Sequence, residues 1–73
     1  MWNQSICIIT GAASGIGRQL AIQASELGAK VIATDINESG LAETAAGCTG
    51  IITRRLDIGN ADEIKSFATD IIT

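Results

Sequence analysis

The residues of this chain best suited to chemistry are Thr10 to Gly17, TGAASGIG, set between the apolar run Ile6-Cys7-Ile8-Ile9 and a helix-like stretch. A strand, a glycine turn and a helix N-terminus in that order suit the pyrophosphate of a nucleotide. The main chain can approach the phosphates, and the open N–H groups and the helix dipole favour negative charge. Gly11 permits the sharp turn out of the strand. Gly15 and Gly17 remove side chains where backbone, ligand and helix must come close. The spacing G-x-x-x-G-x-G departs from the commoner G-x-G-x-x-G, and an ordinary strand–helix turn is the alternative.

Two acids stand at matching places downstream. Asp35 ends a second strand-like run, 18 residues after Gly17, close to the ~20 expected for a carboxylate that accepts from the hydroxyls of an adenosine ribose. The same carboxylate would repel a 2′-phosphate, and no basic residue follows at Ile36 or Asn37, so NAD is favoured over NADP. The alternative for Asp35 is a cap of the second helix. Asp57 follows the third strand in Leu56-Asp57-Ile58 and can accept from an adenine amino group, with Ile58 against the ring. Its alternative is a solvated turn aspartate.

These residues need three strands that end on one side. Strands are expected at Ser5–Thr10, Lys30–Asp35 and Ile51–Leu56, and helices at Gly15–Leu27, from Asn37 to Gly47, and after Asn60. The β-branched first run suits a parallel strand covered on both faces. In the first helix, Ile16, Leu20, Ala24 and Leu27 form one apolar stripe, with Gly28 as its stop. Gly40 inside the second helix is unfavourable by up to ~1 kcal/mol relative to Ala. In the third, Asn60 and Glu63 suggest a capping box, ahead of the stripe Ile64, Phe67, Ala68, Ile71 and Ile72. Alternation of this kind implies right-handed crossovers. The expected fold is therefore an α/β Rossmann-type half, β-α-β-α-β-α, with a three-stranded parallel sheet in order 3-2-1 and helices on both faces. The outer edge of the first strand is left bare and apolar, which invites self-association. Arg54 and Arg55 read as edge-strand charges, and Arg18 as a solvated or phosphate-proximal helix residue.

Composition narrows the function. At 73 residues the chain is at most one small domain, and 47% apolar residues suit a folded one. A net charge of −3 argues against nucleic acid as a partner. No apolar run approaches the ~18 residues that cross a bilayer, so no membrane role is expected. Two Cys without framework spacing and no His argue for free thiols in a reducing, cytoplasmic compartment and against a metal site.

Taken together, TGAASGIG at 10–17, Asp35, and LDI at 56–58 resemble the short-chain dehydrogenase/reductase family. The likeness covers nearly the whole chain but only the N-terminal portion of that family's usual length. The segments 28–41 and 50–58 look most like members akin to cytosolic 3-hydroxybutyrate dehydrogenase. The resemblance implies that Thr10 through Gly17 wrap the pyrophosphate, with Ser14 and Ile16 on the phosphate and nicotinamide side. It also implies Asp35 on the adenosine ribose, and Asp57 with Ile58 framing adenine. The family's Asn-Ala-Gly segment, catalytic Ser and Tyr-x-x-x-Lys have no counterpart here, and Tyr is absent altogether. The expectation is an NAD-binding segment, residues 1–73, of a hydride-transferring oxidoreductase, with no catalytic residue of its own. The alternative is a stand-alone adenine-nucleotide-binding module, dimeric through its first strand.

Overall fold

Three strands and three helices alternate along the chain in the computed structural model, which describes residues 6–72, and of Ile72 only the main chain. The elements are β1 (Ile6–Thr10), α1 (Gly15–Glu26), β2 (Lys30–Asp35), α2 (Glu38–Ala45), β3 (Ile51–Arg55) and α3 (Ala61–Ile72). The strands form one parallel sheet in the order β1-β2-β3, which is the expected 3-2-1 order read from the other edge. Ile8, Ile32 and Ile52 share one row across it, and Val31 pairs with Cys7 and Ile51 in the row before. The expected first-strand residue Ser5 and the side chain of Ile72 lie outside the described residues.

Local chemistry explains the element ends. After α1, the Gly28 amide donates to the Ser25 carbonyl and the Ala29 amide to the Ala24 carbonyl. With Gly28 at φ 95°, this is a Schellman turn, which glycine makes without a Cβ penalty. Asn37 caps α2, its Oδ1 accepting from the Gly40 amide at 3.0 Å. That helix ends at Ala45, two residues before the expected Gly47. Asn60 caps α3 by accepting from the amides of Asp62 and Glu63. The reciprocal half of the expected capping box is absent. Glu63 Oε1 accepts instead from the Asp57 amide at 3.2 Å, and the Asn60 amide donates to the Asp57 carbonyl.

The core lies between the sheet and the pair α1 and α2. Ala12, Ala13, Ala21, Val31, Ala33, Leu41 and Ile51 are buried there, with Ile9, Ala24, Ala45 and Cys48 packed against them. Small residues dominate because the two helices sit close. The buried position of α1 is Ala21, whereas Ile16, Leu20 and Leu27 of the expected stripe are 81%, 53% and 58% exposed. The helix is thus rotated, with its large apolar side chains on the open side. Leu20, Ala24 and Leu27 line a groove with Cys7, Ile8 and Ile9 of β1.

Strand alternation sends Arg54 to the sheet face opposite Ile51. There it bridges Asp70 of α3 at 2.6 Å and lies over the Phe67 ring at 5.3 Å, while Arg55 bridges Glu63. The two arginines are edge-strand charges, as expected, and both also pair with acids of α3. Helices occupy both faces, as expected, but cover the second one sparsely. Ile6, Ile8 and Ile52 remain 61%, 48% and 62% exposed, so β1 is not covered on both sides as its run of β-branched residues suggests. Phe67 is the one buried side chain among those described in α3.

Candidate functional site

The carboxyl ends of the three strands form one rim, the position at which open α/β sheets bind ligands. Thr10 closes β1 and leads into the turn; Asp35 closes β2; Asp57 and Ile58 follow β3. An open cleft of about 220 Å³ is lined by Gly11, Thr34, Asp35, Ile36, Leu56, Asp57 and Ile58. The expected turn, acid and Leu-Asp-Ile segment are thus adjacent in space.

The three glycines of the turn serve different needs. Gly11 and Gly15 stand at φ 67° and 58°, in the left-handed region, and a Cβ on either would meet nothing within 4 Å. They are required by conformation, and they leave the main chain bare on its open side. Gly17 is a packing position, since a Cβ there would overlap the Gly11 carbonyl. Ala12 and Ala13 turn inward and are buried, whereas Thr10, Ser14, Gly15 and Ile16 are exposed.

The first turn of α1 leaves its amides uncapped by side chains. Ser14 precedes it in an extended conformation and makes no side-chain cap, and the turn holds no acidic residue. The first turn of α2 has its Asn37 cap and Glu38; α3 has Asn60, Asp62 and Glu63. The orphan amides of α1 therefore lack the internal partners the other two helices supply.

Asp35 reaches back to this turn. Its Oδ2 accepts from the Ala13 amide at 3.1 Å and its Oδ1 from the Asn37 amide at 3.0 Å. The Asn37 bond, assisted by those from Ala13 and Ile36, outweighs partial desolvation and holds the carboxyl below its ordinary value of 3.8. Asp35 is an anion at neutral pH with its plane fixed, and its carboxylate still has acceptor capacity for a ligand. The helix cap belongs to Asn37, so the capping alternative for Asp35 does not hold. Asp57 is a mixed case. Its Oδ1 accepts from the Gly59 amide at 2.9 Å, which makes it a turn aspartate, yet the residue also lines the cleft. Ile58 is 64% exposed at the same wall.

Several contributors escape a reading by residue type. Ala13 supplies an amide to Asp35, and Ile36 forms part of the cleft wall. Gly40 is the clearest signal that could have been used. A Cβ there would stand 2.7 Å from Ala13 Cβ, so the glycine that weakens α2 is what lets that helix approach the turn. Arg18 is partly exposed and lies beside the turn, within the range expected of it, and its guanidinium bonds Thr44 Oγ1 and the Ala13 carbonyl. Among the described residues no group of His, Cys, Asp or Glu could hold a metal ion, and no helix is long and apolar enough to cross a membrane. Cys7 and Cys48 are free and half-buried.

The rim and its turn recur in known proteins. A relative from Rattus norvegicus, "Dehydrogenase/reductase SDR family member 6", is 47% identical over 66 residues, covering 90% of this chain and 26% of its own length. A short-chain dehydrogenase/reductase from Burkholderia phymatum, solved in complex with NAD, superposes with a TM-score of 0.82 at 34% identity, over 94% of this chain and 26% of that one. A metagenomic short-chain oxidoreductase, solved in complex with NADP, gives 0.88 at 29% identity, over 97% and 34%. The chain thus spans about a quarter of the length of the curated relatives it matches. The family model described as short chain dehydrogenase matches residues 5–73, and with the strand, turn and acid arranged as they are, the chain belongs to the short-chain dehydrogenase/reductase family.

Proposed function

We infer that residues 1–73 are the dinucleotide-binding portion of an oxidoreductase that takes NAD in preference to NADP. The observation that carries this reading is the bond between Asp35 Oδ2 and the Ala13 amide, which joins a sugar-binding carboxylate to a phosphate-binding turn. Thr10, Gly11, Ser14, Gly15, Ile16 and Gly17 would hold the pyrophosphate and the nicotinamide side, Asp35 the adenosine ribose, and Asp57 and Ile58 the adenine. When bound, the dinucleotide supplies the hydride chemistry, exchanged with a hydroxyl or carbonyl carbon. This chain's share is orientation and charge. It has no Tyr or His to serve as the family's proton-transferring group. The chain by itself is expected to bind without turnover. The likeness of residues 28–41 and 50–58 to 3-hydroxybutyrate-type members touches the adenosine end of the cleft and adds no substrate to the proposal.

Titration calorimetry of the purified chain tests it. Saturable heat with NAD and a weaker response to NADP is the expected result. No heat with either, from a chain with native circular dichroism, would refute the reading. Two half-buried free thiols suit a reducing compartment such as the cytoplasm.

A second feature supports self-association. No strand pairs with the outer edge of β1 among the described residues, and the groove beside it carries no charged side chain. An open apolar edge is a template for pairing. Sedimentation velocity is expected to give dimers whose fraction grows with concentration; a monomer throughout the accessible range would exclude association through this edge.

A further inference from the structure

The glycine turn is tied to a helix that neither enters nor leaves it. Thr44, in the last turn of α2, is fully buried, and its hydroxyl lies 2.6 Å from the Ala12 carbonyl. The Gly40 carbonyl, one helical turn back, is 3.1 Å from the same hydroxyl, so its single proton is shared out in favour of Ala12. The oxygen also accepts from Arg18 Nε at 3.0 Å. Arg18 Nη2 donates to the Ala13 carbonyl and, at 3.4 Å, to Gly40 O, and Glu43 lies 3.9 Å away. Two successive carbonyls of the turn, those of Ala12 and Ala13, are therefore gripped from the side of α2.

A trans peptide sets each carbonyl and the following N–H in opposite directions. Drawing the Ala12 carbonyl toward Thr44 turns the Ala13 amide the other way, where Asp35 Oδ2 receives it. Drawing the Ala13 carbonyl toward Arg18 likewise turns the Ser14 amide away from α2. We propose that Arg18 and Thr44 are positioning residues that aim the amides of the phosphate turn and, through Ala13, hold the turn against Asp35. Gly40 completes the device by letting α2 come within reach. The aiming is a property of the fold; its use in binding rests on the dinucleotide reading above.

Thr44→Val, Arg18→Met and the conservative Thr44→Ser separate aiming from bulk stability. The exchange of the Ala13 amide, read by NMR on the full chain, is expected to quicken about tenfold in Thr44→Val and Arg18→Met, the scale of one lost buried hydrogen bond. The Val31 amide, bonded to the Gly50 carbonyl at 2.8 Å, is expected to hold its rate, and Thr44→Ser to match the parent. NAD affinity is expected to fall about tenfold in the same two variants, while adenosine, which lacks the pyrophosphate and meets an Asp35 still held by the Asn37 amide, loses clearly less. Should Thr44→Val fail to fold, Arg18→Met serves alone, because its side chain is already 31% exposed. An Ala13 rate that is unchanged, or that rises in step with Val31, overturns the proposal. Equal losses for NAD and adenosine overturn its binding half. A parent chain that binds no NAD overturns the function proposed above and that binding half with it, while the exchange comparison still decides the aiming.

Discussion

Gly17→Ala is expected to destabilise the chain by about 3 kcal/mol or more, the upper range for overpacking a closed site. The added methyl would enter the Gly11 carbonyl, main chain that cannot rotate aside as a side chain would. A chain of this length has only about 4 to 11 kcal/mol to lose. Gly15→Ala provides the contrast. Its Cβ would meet open space, and the penalty is the left-handed backbone alone, about 1 kcal/mol. Urea unfolding of both variants measures the difference. Equal losses would mean that Gly17 is not the contact between turn and helix. Calorimetry adds a second test, since Gly17→Ala, where it folds, displaces α1 from the turn and with it the amides offered to the pyrophosphate.

The second large effect is at Asp35. Asp35→Ala is expected to weaken NAD binding about 10- to 100-fold, the worth of charge-assisted bonds to two ribose hydroxyls. NADP binding should fall less or improve, because the carboxylate that repels the 2′-phosphate is gone. The NAD/NADP ratio therefore narrows; a ratio that stays put would remove Asp35 from the ribose. Asp35→Asn isolates the charge, since its side-chain oxygen can still accept from the Ala13 amide. Acid provides the same test without mutation. The carboxyl lies below its ordinary value of 3.8, chiefly through the Asn37 amide. Its contribution to stability and to binding is thus complete above that value and is lost as the pH falls through the lowered one. NAD affinity should stay level as the pH falls to the ordinary carboxylate value of 3.8 and drop only through the lowered one, and the Asp35→Ala chain should lack that drop.

The sequence makes the topology and the site easy to read, and the packing harder. Six elements in strand–helix alternation are legible because each has its own punctuation: Gly11, Gly28, Asn37, Gly47 and Asn60 mark the breaks. The site is legible because parallel strands bring their carboxyl ends together whatever the packing, so Gly11, Asp35 and Asp57 had to meet. The inward face of α1 was not legible. Periodicity weights large apolar side chains, but the contact is made by Gly17 and Ala21, whose value is their smallness. The bonds of Arg18, Arg54 and Arg55 are less legible for a related reason. Charge suggests solvent, whereas each of these side chains lies against the protein and spends its donors on a carbonyl, a hydroxyl or a carboxylate. The glycine in α2 is a weakness by helix propensity alone, but a Cβ there would stand 2.7 Å from Ala13 Cβ.

The attachment of α3 makes one wall of the cleft softer than the other. That helix is held by two ion pairs, one ring beneath a guanidinium, and the Glu63 bond to the Asp57 amide. Counterions at physiological strength screen exposed pairs over about 8 Å, so salt loosens this latch while leaving the hydrogen bonds of the glycine turn alone. Opening of α3 would take Asp57 and Ile58 with it. On the proposed dinucleotide reading, an adenine ring would then be met by a yielding surface, and the diphosphate by an unyielding one.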